Sequence, residues 1–454
     1  MSVIKTSKSG VRSKPFYHNH VTFGAPAAHL KRFKSGGLWA LYTQKRNKQW
    51  SVQQHRLAKS KSPDAPIPHS NDSIEVSCLQ MTLIERFDIC ITQALGAVIT
   101  LFAAKLRSLL RKSAFWRQIT AIGFLVHFES LLSCYSKENG MLEDMVMVVK
   151  KLRCFSFQIV PDDGQTPPTN QSDQEGEDFV PQLKCIQRKC STTNRNKQES
   201  PPSGESAWND MNTIFDHDME NNDDQQRFII VMSVPQFAFL KLPGMLQRGS
   251  LIHIHPLLFS QGINELATMA ISLNQTRLQE EINQDSLQEL YKYFDSWKTF
   301  QQLSATPTAA AATATNLVKA SQSKRKATEK VHSVQKSLNY LSKVIRHSHR
   351  EKNAEILPKA ADLTRQLWSG RLTSCKSAKD RTSMSITWEQ ARILHQNFEL
   401  PSKDIPHVTS MLRKKGVRRE NCFKNTGTNK FAFNSLQLMS LPDEYRAPSG
   451  THGS

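Results

Sequence analysis

The first 60 residues contain no Asp or Glu, against about a dozen Lys and Arg. A stretch that lacks one sign of charge cannot neutralise itself internally and reads as a basic arm, largely disordered. Aromatic residues are sparse at 8% and hydrophobic residues make up only 38%. That is little for a chain packed throughout, so packed cores should alternate with polar stretches that cannot bury enough surface to order. The eight cysteines form no C-x-x-C pair. The nearest two, Cys185 and Cys190, have no matching histidine pair, which argues against zinc and disulfide frameworks and for a reducing, intracellular setting. The N-terminal "MSVIKTSKSGVRSK" lacks the apolar centre of a secretory signal. The longest apolar run, Ile89 to Ala104, is about four residues short of a membrane span and carries Thr92, Gln93 and Thr100. It reads as a buried helix.

Positive charge is what the chain has in excess. The formal net charge is +20, and the isoelectric point is about 9.6. Such a balance points to an anionic partner: nucleic acid, an acidic membrane surface or a phosphorylated substrate. No zinc-finger spacing, RNA-recognition signature or helix-turn-helix cue accompanies the basic segments, so nucleic acid is not the expected partner.

Four segments follow from composition and periodicity. Residues 1–77 are the basic arm and a Pro/Ser/Asp-rich linker. Residues 78–160 show apolar residues at three-to-four spacing, including "FWRQITAIGFLVHFESLLSCY", and read as a helical module. Residues 161–226 are a polar, flexible insert. Residues 227–454 open with two strand-like runs, 227–234 and 250–259, and continue as helices with a low-complexity Ala/Thr loop at 304–316. The fold class expected is α+β.

One stretch carries chemistry: "RLTSCKSAKDRTSMSITWEQARIL". A short strand (371–374), a tight loop (375–381) and a helix starting near Thr382 make an anion site, because loop N–H groups converge and the helix dipole adds positive potential. In that field Cys375 is favoured as a thiolate, a nucleophile suited to phosphorus. Arg381 can grip two phosphate oxygens with its planar fork. Ser377 and Ala378 are small enough for the backbone to wrap an anion. Thr382 can donate to the leaving thiolate. Lys376 and Lys379 exceed what one phosphate monoester requires and suit a substrate with several phosphates, such as an inositol polyphosphate headgroup. A leaving inositol oxygen needs a proton donor. Asp380 is the candidate in the loop, with Glu265 or Asp362 as alternatives.

The loop "CKSAKDRTSMS" resembles the signature of the inositol polyphosphate 4-phosphatases, and is also similar to that of bacterial effector phosphoinositide phosphatases. Several further segments are similar to the first family: 413–453, "FESLLSCYSKENGMLEDM" (128–145), "PLLFSQGINELATMA" (256–270), "LQEEINQDSLQEL" (278–290) and "VTFGAPAAHLKRFKSGGL" (21–38). The resemblance covers most of 78–454. It implies a protein tyrosine phosphatase-like Cys-x5-Arg catalytic domain behind an N-terminal helical module. It also implies removal of the 4-phosphate of phosphatidylinositol 3,4-bisphosphate, and of related soluble inositol phosphates, without metal or other cofactor. The nucleophile then falls on Cys375, the phosphate-gripping arginine on Arg381, and headgroup contacts on Lys376 and Lys379. The partners implied are phosphoinositides in anionic membranes, met from the cytoplasm by peripheral association. Family members usually carry an N-terminal lipid-binding β-sandwich, and no strand-rich segment here matches one. The competing reading is a catalytically weak phosphoinositide-binding scaffold. His253 and His255 in "IHIHP" share a strand face without a third ligand and read as structural. Cys422 reads as a buried free thiol.

Overall fold

The computed structural model describes residues 3–4, 16–28, 30, 36–61, 70–162, 179–189, 227–305 and 314–453. Its centre is a seven-stranded mixed sheet. In chain order the strands are β1 (His20–Gly24), β2 (Phe124–Ser130), β3 (Phe155–Pro161), β4 (Gln182–Lys189), β5 (Arg227–Val234), β6 (Ile252–Ser260) and β7 (Gly370–Cys375). Their order across the sheet is β1-β7-β2-β6-β3-β5-β4. The β1, β7, β2 and β6 neighbours all run parallel. β3 is antiparallel to β6 and parallel to β5, and β4 closes the far edge antiparallel to β5. The α+β class is therefore as expected.

The helices are α1 (Leu38–Lys61), α2 (Ser70–Leu109), α3 (Ser113–Ile122), α4 (Lys137–Lys151), α5 (Glu265–Ser272), α6 (Arg277–Ala305), α7 (Ala314–Arg346), α8 (Ile356–Gln366), α9 (Asp380–Phe398), α10 (Ile405–Lys414), α11 (Val417–Thr426) and α12 (Ser435–Ser440). They cover both faces. Phe124, Val126, Phe128 and Leu372 point into one core, which they share with α2 and α4 through Phe87, Ile91, Val98, Leu101, Phe102, Met145 and Val148. Leu125 and Phe259 enter a second core with Leu290 and Trp297 of α6, Leu338 and Leu341 of α7, and Leu363 of α8. The period of two along β2, and at Leu257, Leu258 and Phe259 of β6, thus sends alternate side chains into two separate layers.

Three expectations are corrected here. Residues 124–130, read as helix, are a strand. Gly123, at φ +83°, ends α3, and the chain turns directly into β2, buried at every position. A parallel strand covered on both faces has no polar face, so its apolar run imitates a buried helix. The boundary between a helical module and a later domain disappears for the same reason, because β2 pairs with β6 and β7 from the 227–454 segment. The arm and the insert are also more ordered than their composition suggests. Residues 20–24 form the edge strand, 38–61 form α1, and 182–189 form β4. The remainder of the insert, 163–178 and 190–226, lies outside the described residues, as do 62–69 of the linker and 306–313 of the Ala/Thr loop.

α2 contains a window long and apolar enough to cross a membrane, half of it buried inside the fold. Cys90, Ile91, Ala94, Val98, Leu101 and Phe102 bury one stripe of it at three-to-four spacing, as a core helix requires.

Candidate active site

The four parallel strands end together on one edge of the sheet, and β7 delivers Cys375 there. Helix N-termini and strand C-termini converge at that edge in parallel sheets, which is where ligands usually bind. Cys375 is buried at 2% exposure. Its carbonyl accepts from the Ala25 N–H at 2.9 Å, just beyond β1. The loop then turns through Ala378, at φ +51°, a left-handed conformation that a non-glycine residue adopts only when its surroundings hold it. α9 starts at Asp380 with no side-chain cap at its N-terminus. Its first-turn N–H groups therefore have no intrahelical or side-chain capping acceptor, an arrangement that favours an anion. The strand, loop and helix expected from sequence are present, with the helix starting two residues earlier than expected.

Arg381 lies in the first turn of α9 and is held by the segment that follows β2. Its Nη1 donates to the Leu131 carbonyl at 2.8 Å and to Glu138 Oε2 at 3.1 Å, while Nη2 donates to Glu138 Oε1 at 2.5 Å. Glu138 sits in the first turn of α4 and also accepts from the Ser133 N–H (2.9 Å), the Ser133 hydroxyl (3.3 Å) and Asn264 Nδ2 (2.9 Å). Burial would raise the Glu138 carboxyl, but Arg381, Ser133 and Asn264 outweigh it and hold the group below the ordinary carboxylate range. Burial works against the Arg381 cation, and Glu138 again wins, with the Cys375 sulfur and Glu265 adding to the attraction. Cys375, Arg381, Glu138 and Glu265 thus share one electrostatic neighbourhood. Lys352 joins its rim, donating to the carbonyls of Asn264 (3.1 Å) and Ser440 (2.6 Å).

Glu138 was not singled out from the sequence. It stands between Lys137 and Asn139 at a polar helix start, one of three acids in that helix, and nothing in its spacing ties it to an arginine 243 positions away. Only the parallel pairing of β2 with β7 brings the two segments together.

The other loop residues divide by exposure. Lys376 and Lys379 are exposed, Ser377 and Ala378 half-buried. Thr382 is buried and its hydroxyl donates to the Lys379 carbonyl at 2.9 Å. Asp380 accepts from Arg418 Nε at 2.6 Å with one oxygen and from the Ala432 N–H at 3.0 Å with the other, tying the loop to the C-terminal segment. Glu265, first residue of α5, accepts from Gln437 at 3.1 Å. Asp362 lies elsewhere, between Arg365 and Arg392 on α8 and α9. His253 and His255 join no cluster of three metal-ligating groups among the described residues. His253 faces Ser156 at 2.8 Å, and the His255 ring packs edge-on against Tyr293. The Cys422 sulfur is buried beside the Lys430 carbonyl, and both Cys375 and Cys422 are free thiols.

Behind the loop a buried ion network spans the strands. Arg371 of β7 donates to Glu129 of β2 (2.6 Å) and to Glu389 of α9 (2.9 Å). Ser385 and Thr373 donate to the second oxygen of Glu129 at 2.6 and 3.3 Å. Glu389 also accepts from Arg365 at 2.8 Å. Burial would raise the Glu389 carboxyl, but Arg371 above all holds it well below its ordinary value. His18, His20 and Glu389 bring ligand atoms within 4.8 Å of one another. A cation there would share its carboxylate with two guanidiniums, an arrangement that does not favour metal.

The sequence matches the family model of the INPP4A C-terminal domain over residues 70–172 and 219–445. It is 32% identical over 385 residues to the human inositol polyphosphate 4-phosphatase type II and to the type II inositol 3,4-bisphosphate 4-phosphatase of Pongo abelii, covering 83% of this chain and 33% of each relative. It is 26% identical over 373 residues to the mouse phosphatidylinositol 3,4,5-trisphosphate-dependent Rac exchanger 1 protein, covering 77% of this chain and 20% of that one. The chain spans about a third of the length of the phosphatases it matches. With the family model matched on both sides of the polar insert and the Cys375 loop inside the second matched stretch, the chain belongs to the inositol polyphosphate 4-phosphatase family.

Proposed function

We propose that this chain is a phosphoinositide phosphatase with a protein tyrosine phosphatase-like Cys-x5-Arg site. It removes the 4-phosphate of phosphatidylinositol 3,4-bisphosphate, and of related soluble inositol phosphates, through a phospho-cysteine intermediate. The observation that carries this reading is the placement of Cys375 at a strand end and Arg381 in the first turn of the following, uncapped helix, with the guanidinium fixed by Glu138. The relatives, inositol polyphosphate and inositol 3,4-bisphosphate 4-phosphatases, support the substrate class.

In this mechanism the Cys375 thiolate attacks phosphorus and forms the S–P bond. The P–O bond to the inositol breaks, and its electron pair leaves on the oxygen, which takes a proton from a general acid. Water then attacks phosphorus while the carboxylate left by the general acid takes its proton; the S–P bond breaks, phosphate departs, and the thiolate is restored. Arg381 and the α9 N–H groups follow the equatorial oxygens through both steps. Asp380 has both oxygens engaged by Arg418 and Ala432, so its role is to hold the loop shut. The proton donor is better sought at Glu265, whose charge acts on Arg381 and which accepts a hydrogen bond from the neutral amide of Gln437. Thr382, bonded to the Lys379 carbonyl, turns towards sulfur only when the thiolate leaves. Lys376 and Lys379 meet the remaining headgroup phosphates and the anionic surface of a cytoplasmic membrane leaflet, to which the protein binds peripherally.

The test is phosphate release from vesicles containing phosphatidylinositol 3,4-bisphosphate, comparing the chain with Cys375→Ser. Turnover abolished by the serine variant is expected. Headgroup binding by both proteins with turnover by neither would replace the enzyme with a binding module.

A further inference from the structure

A cavity of about 880 Å³ opens at the opposite edge of the sheet from Cys375. Its floor is the start of β7, at Ser369 and Arg371, with His18 and Asn19 from the approach to β1. Four residue steps of strand separate Arg371 from Cys375, about 13 Å at the usual rise. The cavity is therefore distinct from the catalytic loop.

Its walls are cationic from three directions. Lys105 and Lys112 come from the end of α2 and the turn after it, Lys336 and Lys343 from α7, and Lys359 and Arg365 from α8. The acids that line it, Asp362 and Glu389, are already taken by Arg365, Arg392 and Arg371. Lys359 reaches Glu355 at 3.5 Å. Lys105, Lys336 and Lys343 have no ion-pair partner among the described residues. Burial, aided by neighbouring Lys112, pushes the Lys105 ammonium down to about 8, so its charge is costly as it stands and would be relieved by an anion. Rings of Tyr340 and Trp368 and the polar groups of Asn19, Ser337 and Asn339 complete the lining.

Unpaired cations that converge on a half-open cavity from separate helices suit an anion whose charges radiate outward, rather than one flat face of a membrane. We propose that this cavity is a second, non-catalytic binding site for a small, multiply phosphorylated anion of the inositol polyphosphate class. The site joins the network behind the catalytic loop, since Arg371 touches both the cavity and Glu129. Its existence does not depend on the chain being an active phosphatase.

The experiment is calorimetric titration of the full chain with myo-inositol hexakisphosphate, followed by Lys336→Glu/Lys343→Glu. Both lysines are exposed, so the fold should survive, as an unchanged melting temperature would verify. Two binding events are expected in the parent chain, with the one assigned to the cavity weakened about tenfold or more in the variant and the other, at the catalytic loop, retained. A control pair, Lys403→Glu/Lys424→Glu, removes the same charge from exposed positions on the C-terminal helices. Equal weakening by the control, or binding that Lys336→Glu/Lys343→Glu leaves unchanged, would overturn the proposal, whereas a single event lost in that variant would place binding in the cavity alone. Repeating the titration with vesicles containing phosphatidylinositol 3,4-bisphosphate separates the sources. A soluble ligand predicts that vesicle binding is indifferent to Lys336 and Lys343. Loss of vesicle binding in this variant but not in the control would make the face a membrane contact instead and would also overturn it.

Discussion

Glu138 holds Arg381 with both carboxylate oxygens, joining the first turn of α4 to the first turn of α9 beneath the end of β2. The pair is buried, at 6% and 13% side-chain exposure. Removing one member of such a pair leaves an uncompensated charge and costs about 3–5 kcal/mol. Glu138→Ala should therefore lower the unfolding free energy by that order. It should also reduce kcat about 100-fold, because a guanidinium displaced by about an ångström no longer follows the phosphoryl oxygens. Glu138→Gln keeps an acceptor for one of the two N–H groups and should fall between the parent and Glu138→Ala in both respects. Urea unfolding and steady-state turnover read the two effects separately. An alanine variant with full kcat would show that Arg381 needs no such anchor.

Glu265 and Asp380 should separate when the leaving group is varied. An inositol oxygen needs protonation as it departs, whereas p-nitrophenolate leaves without help. Loss of a general acid costs about 10²–10⁴-fold. Glu265→Gln should impose such a loss on phosphoinositide hydrolysis and spare p-nitrophenyl phosphate. Asp380→Asn, which loosens the tie to Arg418, should depress both substrates alike. The reverse pattern would return the acid role to Asp380.

The strand, loop and helix around Cys375 were legible in the sequence because the parts are contiguous: a short strand, small residues, a cysteine, an arginine and a helix start within a dozen positions. The rest of the site was not, because it depends on pairing. Phe124–Ser130 reads as helix until both its faces are covered, and its His127 and Glu129 look like ordinary polar interruptions until Arg371 is placed opposite them. Glu138 had no local signal at all. The basic arm misled in the other direction. Its missing acids suggest disorder, yet Leu38 is fully buried and its N–H donates to Asp144 at 2.6 Å, which also accepts from Arg86. The partners that order α1 lie in α2 and α4, outside the segment whose composition was being judged.

That docking depends on a close approach of backbones. A side chain at Gly140 would place its Cβ 2.5 Å from the Gly36 carbonyl, and one at Gly37 would lie 2.5 Å from the Gly140 carbonyl. The obstacle in each case is backbone, which cannot swing aside. Gly140→Ala should destabilise the chain by about 1–3 kcal/mol, as overpacking does, despite the higher helix propensity of alanine. Protease cleavage within α1 should accelerate in this variant if the arm is what gives way. A stabilised Gly140→Ala protein would show that α1 does not pack against α4 this closely in solution.

His127 should make the protein acid-sensitive. Its Nδ1 lies 3.1 Å from Arg371 and 2.9 Å from the Thr364 hydroxyl, its ring meets Phe259 edge-on, and Nε2 is buried with no hydrogen-bond partner among the described residues. Burial, reinforced by Arg371 and opposed only partly by Glu389, holds it well below 6.5. His20 is lowered too, again chiefly by burial. Above pH 6.5 both histidines are neutral folded or unfolded, and their contribution does not change with pH. Below it the unfolded chain takes up protons that the folded chain refuses, so stability falls with pH by about 1.4 kcal/mol per unit for each histidine until its folded value is reached. Glu389, held well below its ordinary value, stays ionised through this window and does not mask the effect. Urea unfolding at pH 7.5, 6.5 and 5.5 should therefore show little change over the first step and a loss of about 1–3 kcal/mol over the second. In His127→Gln, whose side chain cannot take a proton, the second loss should be roughly halved. An unaltered slope in that variant would place the acid sensitivity in other groups.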